Sequence, residues 1–173
     1  MPTPDSFDLG RFVAAQDAAG SYEHAVAELR KGRKTSHWMW YVFPQIAGLG
    51  HSSTSRRYAI SSVGEARAYL AHPVLGPRLL ECAAILTVLP GPTAEDVFGG
   101  IDAMKLRSSM TLFRHAAPGQ EVFSSVLSQY FDGVPDPATE RLISQSGLSR
   151  CLASGNWARD HGLTRHQSRW LCS

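Results

Sequence analysis

The sequence is poor in charged residues and in long hydrophobic runs, and both shortages narrow the class of protein. Charged residues make up 18% of the 173 residues, below the roughly 25% that is average for soluble domains. The longest apolar stretch, Cys82 to Pro90, contains a threonine and falls well short of the ~20 residues that a membrane span needs. The first residues lack the basic and apolar regions of a secretory signal. We therefore expect a single folded domain in the cytoplasm, with no membrane partner.

Paired cysteines and the common catalytic motifs are also missing. The three cysteines, Cys82, Cys151 and Cys172, are an odd number and none forms a Cys-x-x-Cys spacing. The pattern therefore predicts free thiols, no disulfide framework and no metal site. Neither His-Glu-x-x-His nor Gly-x-Ser-x-Gly occurs, so zinc hydrolysis and the usual serine-hydrolase arrangement have no support. No cofactor is identified by any motif, and whether the chain is an enzyme stays open.

Lysine is scarce, and the positive charge is concentrated near the end of the chain. Residues 148–173 contain four arginines and one aspartate, which leaves the rest of the chain at −1 although the total is +2. Net charge therefore gives the main domain no nucleic-acid signature.

Of the seventeen basic residues only Lys31, Lys34 and Lys105 are lysines. A lysine in such a chain either marks a site that needs a compact ammonium or stands there by chance.

Hydrophobic periodicity predicts helices and gives no convincing strand. Ser21 starts one helix, and Ser62 and Thr93 start two more as N-caps. A single turn after Thr93 is expected to end at Gly99, and Pro137 begins the last helix. The chain is therefore predicted to be all-α, a compact single-domain array of about six to eight short helices over residues 1–147. Residues 148–173 are expected to be an arginine-bearing tail, loosely attached.

The densest aromatic segment, Lys34 to Gln45, is the first candidate site. If a helix begins near Lys34, then Lys34, His37, Trp38 and Tyr41 share one face. An ammonium, an imidazole and two rings along one wall would suit an anionic ligand with a planar part. The alternative is a core helix in which the tryptophans fill volume and His37 binds a buried carbonyl. His37 is the one acid/base candidate near this segment, so the catalytic residues stay unknown.

The second candidate segment is Asp102 to Phe113, in which Lys105, Ser108 and Ser109 share a face. Hydroxyls in the middle of a helix compete with its backbone hydrogen bonds. They indicate either donors in a polar cavity or a close contact between helices. Between the two segments, Gly48 to Ser52 reads as an ordinary turn, with anion binding by its backbone as the weaker alternative.

Several motifs in these segments resemble one family. They are Gly32-Arg33-Lys34, Ser36-His37-Trp38-Met39-Trp40, Phe43-Pro44-Gln45, Gly48-Leu49-Gly50, Tyr69-Leu70, His72-Pro73 to Leu75-Gly76, and Asp102 with Lys105 and Ser108 to Phe113. The chain from about Phe7 to Ile143 resembles the bacterial family catalogued as domain of unknown function 1810. The resemblance implies a compact all-helical fold and no established activity. Some members carry the label calpastatin, which does not suit a chain with a hydrophobic core.

Together the residues and the resemblance lead to a hypothesis about one ligand site. We expect a small anionic or nucleotide-like ligand to bind between the two segments, at a pocket formed by Lys34, His37, Trp38, Trp40, Gln45, Lys105, Ser108 and Ser109. One alternative is a protein-interaction module anchored by the aromatic segment, whose partner is unknown. A second, disfavoured alternative is nucleic-acid binding by the tail, through Trp157 and Trp170.

Overall fold

The computed structural model of the chain describes residues 7–153, and the surroundings of side chains from residue 7 to residue 146. The helices are α1 (Gly10–Asp17), α2 (Ser21–Arg30), α3 (Met39–Val42), α4 (Ser53–Arg57), α5 (Val63–Ala71), α6 (Leu75–Thr87), α7 (Ala94–Ala116), α8 (Glu121–Phe131) and α9 (Pro137–Ala153). A short 3-10 turn joins α1 to α2. Within the described range, an isolated parallel bridge between Ile46 and Ile60 is the one β feature. The predicted all-α class is confirmed.

Polar side chains cap two of the helices, α5 and α7, at the predicted places. Ser62 Oγ accepts a hydrogen bond from Glu65 N at 3.1 Å at the start of α5. Thr93 and Asp96 form a reciprocal capping box at the start of α7. Each cap satisfies backbone N–H groups that have no partner inside the helix, which is why the helices start there.

The aromatic segment forms much less helix than was predicted. Helix α3 has only four residues, and Trp38 occupies its N-cap position. The backbone N–H groups of Thr35 and Ser36 bind the Glu28 carboxylate at 2.8 and 3.0 Å. Because that carboxylate replaces helical carbonyls as the acceptor, the chain before Trp38 is a loop. The prediction of one helical face is therefore wrong for Lys34, His37, Trp38 and Tyr41.

Helix α7 passes through the core and packs against α5, α8 and α9. Leu106, Met110 and Phe113 are fully buried on it. The Phe113 ring contacts the rings of Tyr69 on α5 and Phe123 on α8, at centroid distances of 5.5 and 5.8 Å. This packing fixes the orientation of α7, and so fixes the direction in which its polar residues point.

A glycine separates the first turn of α7 from the rest of the helix. Gly99 has φ 75° and ψ 161°, a conformation that is essentially restricted to glycine. The turn before it carries Phe98, whose ring packs on the Trp38 ring with a distance of 6.3 Å between the ring centroids. Asp102 and Lys105 lie after it. The single turn predicted before Gly99 is thus present, and the break brings the α2–α3 loop and the second part of α7 together.

The end of the described chain reaches beyond the predicted domain boundary. Helix α9 continues to Ala153, whereas the tail was predicted to begin at residue 148. Residues 154–173, which include both tryptophans of the predicted tail, lie outside the described residues. The domain boundary therefore stays a prediction. None of the helices described here combines the length and apolar character needed to cross a membrane.

Candidate functional site

Two lysines from distant parts of the chain share one carboxylate. Lys34 Nζ lies 2.8 Å from Asp102 Oδ2, and Lys105 Nζ lies 2.6 Å from Asp102 Oδ1. Lys34 comes from the α2–α3 loop, whereas Asp102 and Lys105 are one turn apart on α7. Lys34 and Lys105 therefore lie on the same side of the fold, as the predicted shared pocket requires.

The cluster is partly withdrawn from solvent and carries net positive charge. The side chains of Lys34, Asp102 and Lys105 are 8%, 18% and 19% exposed. Partial burial alone would raise the pKa of Asp102, but the hydrogen bonds and charges of the two lysines outweigh it and lower the pKa. Two ammonium groups on one ionised carboxylate leave a net charge of about +1 near neutral pH.

The two lysines differ in how many of their donors are already used. Lys34 Nζ also donates to the Ser36 carbonyl at 2.6 Å and lies 5.3 Å from the centre of the Trp38 ring. Lys105 Nζ has Asp102 as its one hydrogen-bond partner among the described residues, and it lies 4.4 Å from the centre of the Trp40 ring. Since an ammonium has three donors, Lys105 is the better placed to bind a ligand, and Lys34 is mainly structural.

Glu28 on α2 holds the loop that presents Lys34. Its carboxylate accepts hydrogen bonds from Thr35 and Ser36 and from Trp38 Nε1, the last at 2.8 Å. Partial burial would raise the pKa of Glu28, but the hydrogen bonds from Ser36, Thr35 and Trp38 together lower it to about 2. The loop is thus anchored through an ionised acceptor at all ordinary pH values.

Trp40 connects the lysine cluster to a small cavity. One part of its ring system lies beneath Lys105, and the residue also lines a cavity of about 90 Å³ with Gln45. The cavity is lined by Trp40, Gln45, Ile46, Ala47, Gly48, Gly50, Ser55, Arg56, Tyr58 and Ala59. Its walls are held together by the Ile46–Ile60 bridge, in which Ile60 N donates to the Gln45 carbonyl at 2.8 Å.

A glycine allows the close packing of one cavity wall. A Cβ at Gly50 would lie 2.5 Å from the Cβ of Ser55, closer than side chains can approach. The predicted turn at residues 48–52 therefore has a packing role as well as forming a wall of the cavity.

Four residues that line the cavity carry polar side-chain groups with no hydrogen-bond partner within the described part of the chain. They are Trp40 Nε1, the Gln45 amide, the Arg56 guanidinium and the Tyr58 hydroxyl. Trp40, Gln45 and Tyr58 are half-buried, and Arg56 is exposed. Because these residues border the cavity and their polar groups are unpaired among the described residues, they are the polar side chains here that could bind a ligand.

The eight predicted site residues divide into those that meet around Trp40 and those that do not. Lys105, Trp40 and Gln45 meet there directly, and Lys34 joins them through Asp102. Trp38 is buried and bound to Glu28.

The remaining three predicted side chains lie apart from the cavity. His37 is exposed, and the described residues offer its imidazole no hydrogen bond. Ser108 Oγ is 2.7 Å from Thr139 Oγ1 on α9. Ser109 is fully buried with no partner for its hydroxyl among the described residues.

Four residues of the site were not predicted as site residues. Asp102 could have been found, because its spacing of three from Lys105 places both on one helical face. No local pattern marks Glu28, Arg56 or Tyr58. Arg56 and Tyr58 reach the cavity only because the Ile46–Ile60 bridge brings the end of α4 back to the segment after α3.

The fold and site define a small helical domain with one lysine–aspartate cluster beside a polar-rimmed cavity. Residues 6–143 match the family described as a protein of unknown function, DUF1810, so the chain belongs to this family. It is also similar to the crystal structure of a conserved hypothetical protein from Mycobacterium tuberculosis, with 49% identity, a TM-score of 0.78, and coverage of 81% of this chain and 99% of that chain. A search of curated proteins finds no match.

Proposed function

We propose that this protein binds a small anionic ligand at a site centred on Trp40, between the Lys34–Gln45 and Asp102–Phe113 segments. The observation that carries the proposal is the position of Trp40, which lies under the Lys105 ammonium and lines the adjacent cavity. An anion at this place would meet the net positive charge of the lysine–aspartate cluster beside Trp40.

The size of the cavity favours a small ligand over a whole nucleotide. Its volume of about 90 Å³ is well below the roughly 300–1,000 Å³ of pockets for drug-sized ligands. A nucleotide would have to leave most of its surface in solvent. The nucleotide-like ligand is therefore the less favoured form of this proposal.

The aromatic segment offers little surface for the alternative function of protein binding. Trp38 and Phe43 are fully buried, and Met39 with Val42 is buried beside them. An anchoring patch needs exposed aromatic area, and this segment supplies only the half-buried Trp40 and Tyr41. Nucleic-acid binding by the tail and the cytoplasmic location stay predictions from the sequence.

A screen of small anions by thermal unfolding would test the proposal, because a ligand that binds the folded state raises its Tm. We expect at least one anion to raise the Tm of the wild-type protein. Lys105→Met should lower the affinity for that anion about fivefold, because it removes one half-buried positive charge. Lys31→Met is the matched control, since Lys31 is exposed and forms no ion pair within the described residues. Equal weakening by both variants, or no shift with any anion, would refute the site.

A further inference from the structure

The hydroxyl of Tyr58 differs from every other tyrosine hydroxyl in the chain. Tyr22 donates to Glu81, Tyr69 to the Tyr41 carbonyl and Tyr130 to the Leu86 carbonyl, while the Tyr41 hydroxyl binds Ser21. Tyr58 is half-buried and has no such partner among the described residues, yet it lines the cavity. A hydroxyl in this position is available to a bound molecule.

The neighbouring polar groups are mostly donors. Trp40 Nε1 can only donate, the Arg56 guanidinium offers five donors and no acceptor, and Gln45 can donate through its amide nitrogen. All three line the cavity with Tyr58 and lack partners among the residues the structure describes. A set rich in donors fits a ligand that is rich in acceptors, and the planar guanidinium matches a carboxylate or phosphate through two parallel hydrogen bonds.

The charge at the cavity favours a singly charged ligand. Arg56 is the one cationic residue in its lining. Lys105 is not among the lining residues; it lies against the Trp40 ring and is bound to Asp102. One guanidinium balances one carboxylate. A phosphate monoester, with a charge near −2 at neutral pH, would also need the net charge of the Lys34–Asp102–Lys105 cluster, none of whose residues lines the cavity. This balance applies on the solvent-facing side of the site, because Arg56 is an exposed residue of the lining.

The floor of the cavity is apolar and small. Ile46 is 3% exposed, and the half-buried Ala59 lines the cavity with it. The volume of about 90 Å³ is less than that of the engineered cavity of roughly 150 Å³ that holds benzene in another protein. The space therefore suits a short aliphatic group better than an aromatic ring.

From these four features we infer that the cavity binds a small aliphatic monocarboxylate, with its hydrocarbon part on the Ile46 floor and its carboxylate at the mouth, bound by Arg56 and Tyr58. This inference rests on the anion site proposed above and names the class of its ligand. Trp40 and Gln45, which line the same cavity, are the further donors available to the carboxylate.

Butyrate and butyramide, which have nearly the same shape, would test the inference on the full-length chain. We expect butyrate to raise the Tm and butyramide to leave it unchanged, because only the carboxylate binds Arg56 with its charge. Arg56→Gln should lower the affinity for butyrate about tenfold or more, and Tyr58→Phe should lower it about threefold to tenfold. Titration calorimetry measures both affinities. The controls are Arg141→Gln and Tyr130→Phe. Arg141 is an exposed arginine outside the cavity lining, and neither substitution should change the affinity for butyrate.

The outcomes separate this inference from the anion site itself. If inorganic phosphate or a nucleotide raises the Tm and butyrate does not, the anion site stands and the carboxylate assignment is overturned. Equal effects of butyrate and butyramide would also overturn it, since the charge would then play no part. If no anion has any effect, both proposals fail. Benzoate binding more tightly than butyrate would contradict the short aliphatic group while leaving the carboxylate in place.

Discussion

Trp38 and Trp40 are two positions apart in the chain, and their surroundings are opposite. Trp38 is fully buried, its indole N–H donates to Glu28, and its ring packs on Phe43 and Phe98. Trp40 is half-buried, and its indole N–H has no partner in the described part of the chain. Of the two alternatives that the sequence left open, core and ligand site, the structure places Trp38 in the core, and a ligand site at Trp40 stays our proposal.

The difference follows from what each ring does for the fold. Trp38 joins the α2–α3 loop to the first turn of α7, so its loss would affect packing on both sides. Trp40 contacts the Lys105 ammonium and borders a cavity, and neither feature requires its N–H group. A comparison of matched substitutions at the two positions can therefore separate stability from binding.

The largest effect is expected from Trp38→Phe. The smaller ring leaves space in the core and removes one hydrogen bond to an ionised carboxylate. Together these should lower the free energy of unfolding by about 2–4 kcal/mol. Urea denaturation followed by circular dichroism measures the change. A loss below about 0.5 kcal/mol, the usual range for surface substitutions, would mean that Trp38 does not hold the loop in place.

A smaller contribution to the free energy of unfolding, and one that depends on pH, is expected from the ionised carboxylate of Glu28. Its pKa is lowered to about 2 in the folded protein from an ordinary value of roughly 4.3. The ionised form therefore stabilises the fold above the ordinary pKa, and this contribution disappears as pH falls through the folded value. After allowance for solvent screening we expect it to amount to about 1–2 kcal/mol.

The comparison of wild type with Glu28→Gln isolates that contribution from other carboxylates. The difference in unfolding free energy should be complete at pH 6 and should narrow from about pH 4.3 towards pH 2. Urea denaturation at a series of pH values measures it. A difference that stays constant across this interval would show that the charge on Glu28 does not matter to the loop.

The sequence predicted the helices well because their signals are local. Ser62 and Thr93 cap helices where polar residues precede apolar periodicity, and Gly99 ends a turn as expected. The helix expected from Lys34 failed because Glu28, six residues earlier, takes the backbone donors of Thr35 and Ser36. No periodicity can report a carboxylate that acts from a neighbouring helix.

The candidate site was predicted only in part, for a related reason. The two motifs led to the expectation that Lys34 and Lys105 lie on the same side of the fold. Both lysines contact Asp102, while their role in binding a ligand stays a prediction. Arg56 and Tyr58 entered the site through a long-range bridge between Ile46 and Ile60. Their positions depend on how the chain folds back, which short-range patterns do not encode.

The smallest effect on stability is expected from Trp40→Phe, and it is the most informative for function. The substitution keeps an aromatic face beneath Lys105 and removes an N–H that binds no described residue. The free energy of unfolding should change by less than about 0.5 kcal/mol, while the affinity for a carboxylate should fall about threefold or more because one donor is lost. Urea denaturation and calorimetric titration of the same preparation measure the two quantities. A destabilisation as large as that of Trp38→Phe would place Trp40 in the core with its neighbour, and the distinction between the two tryptophans would be lost.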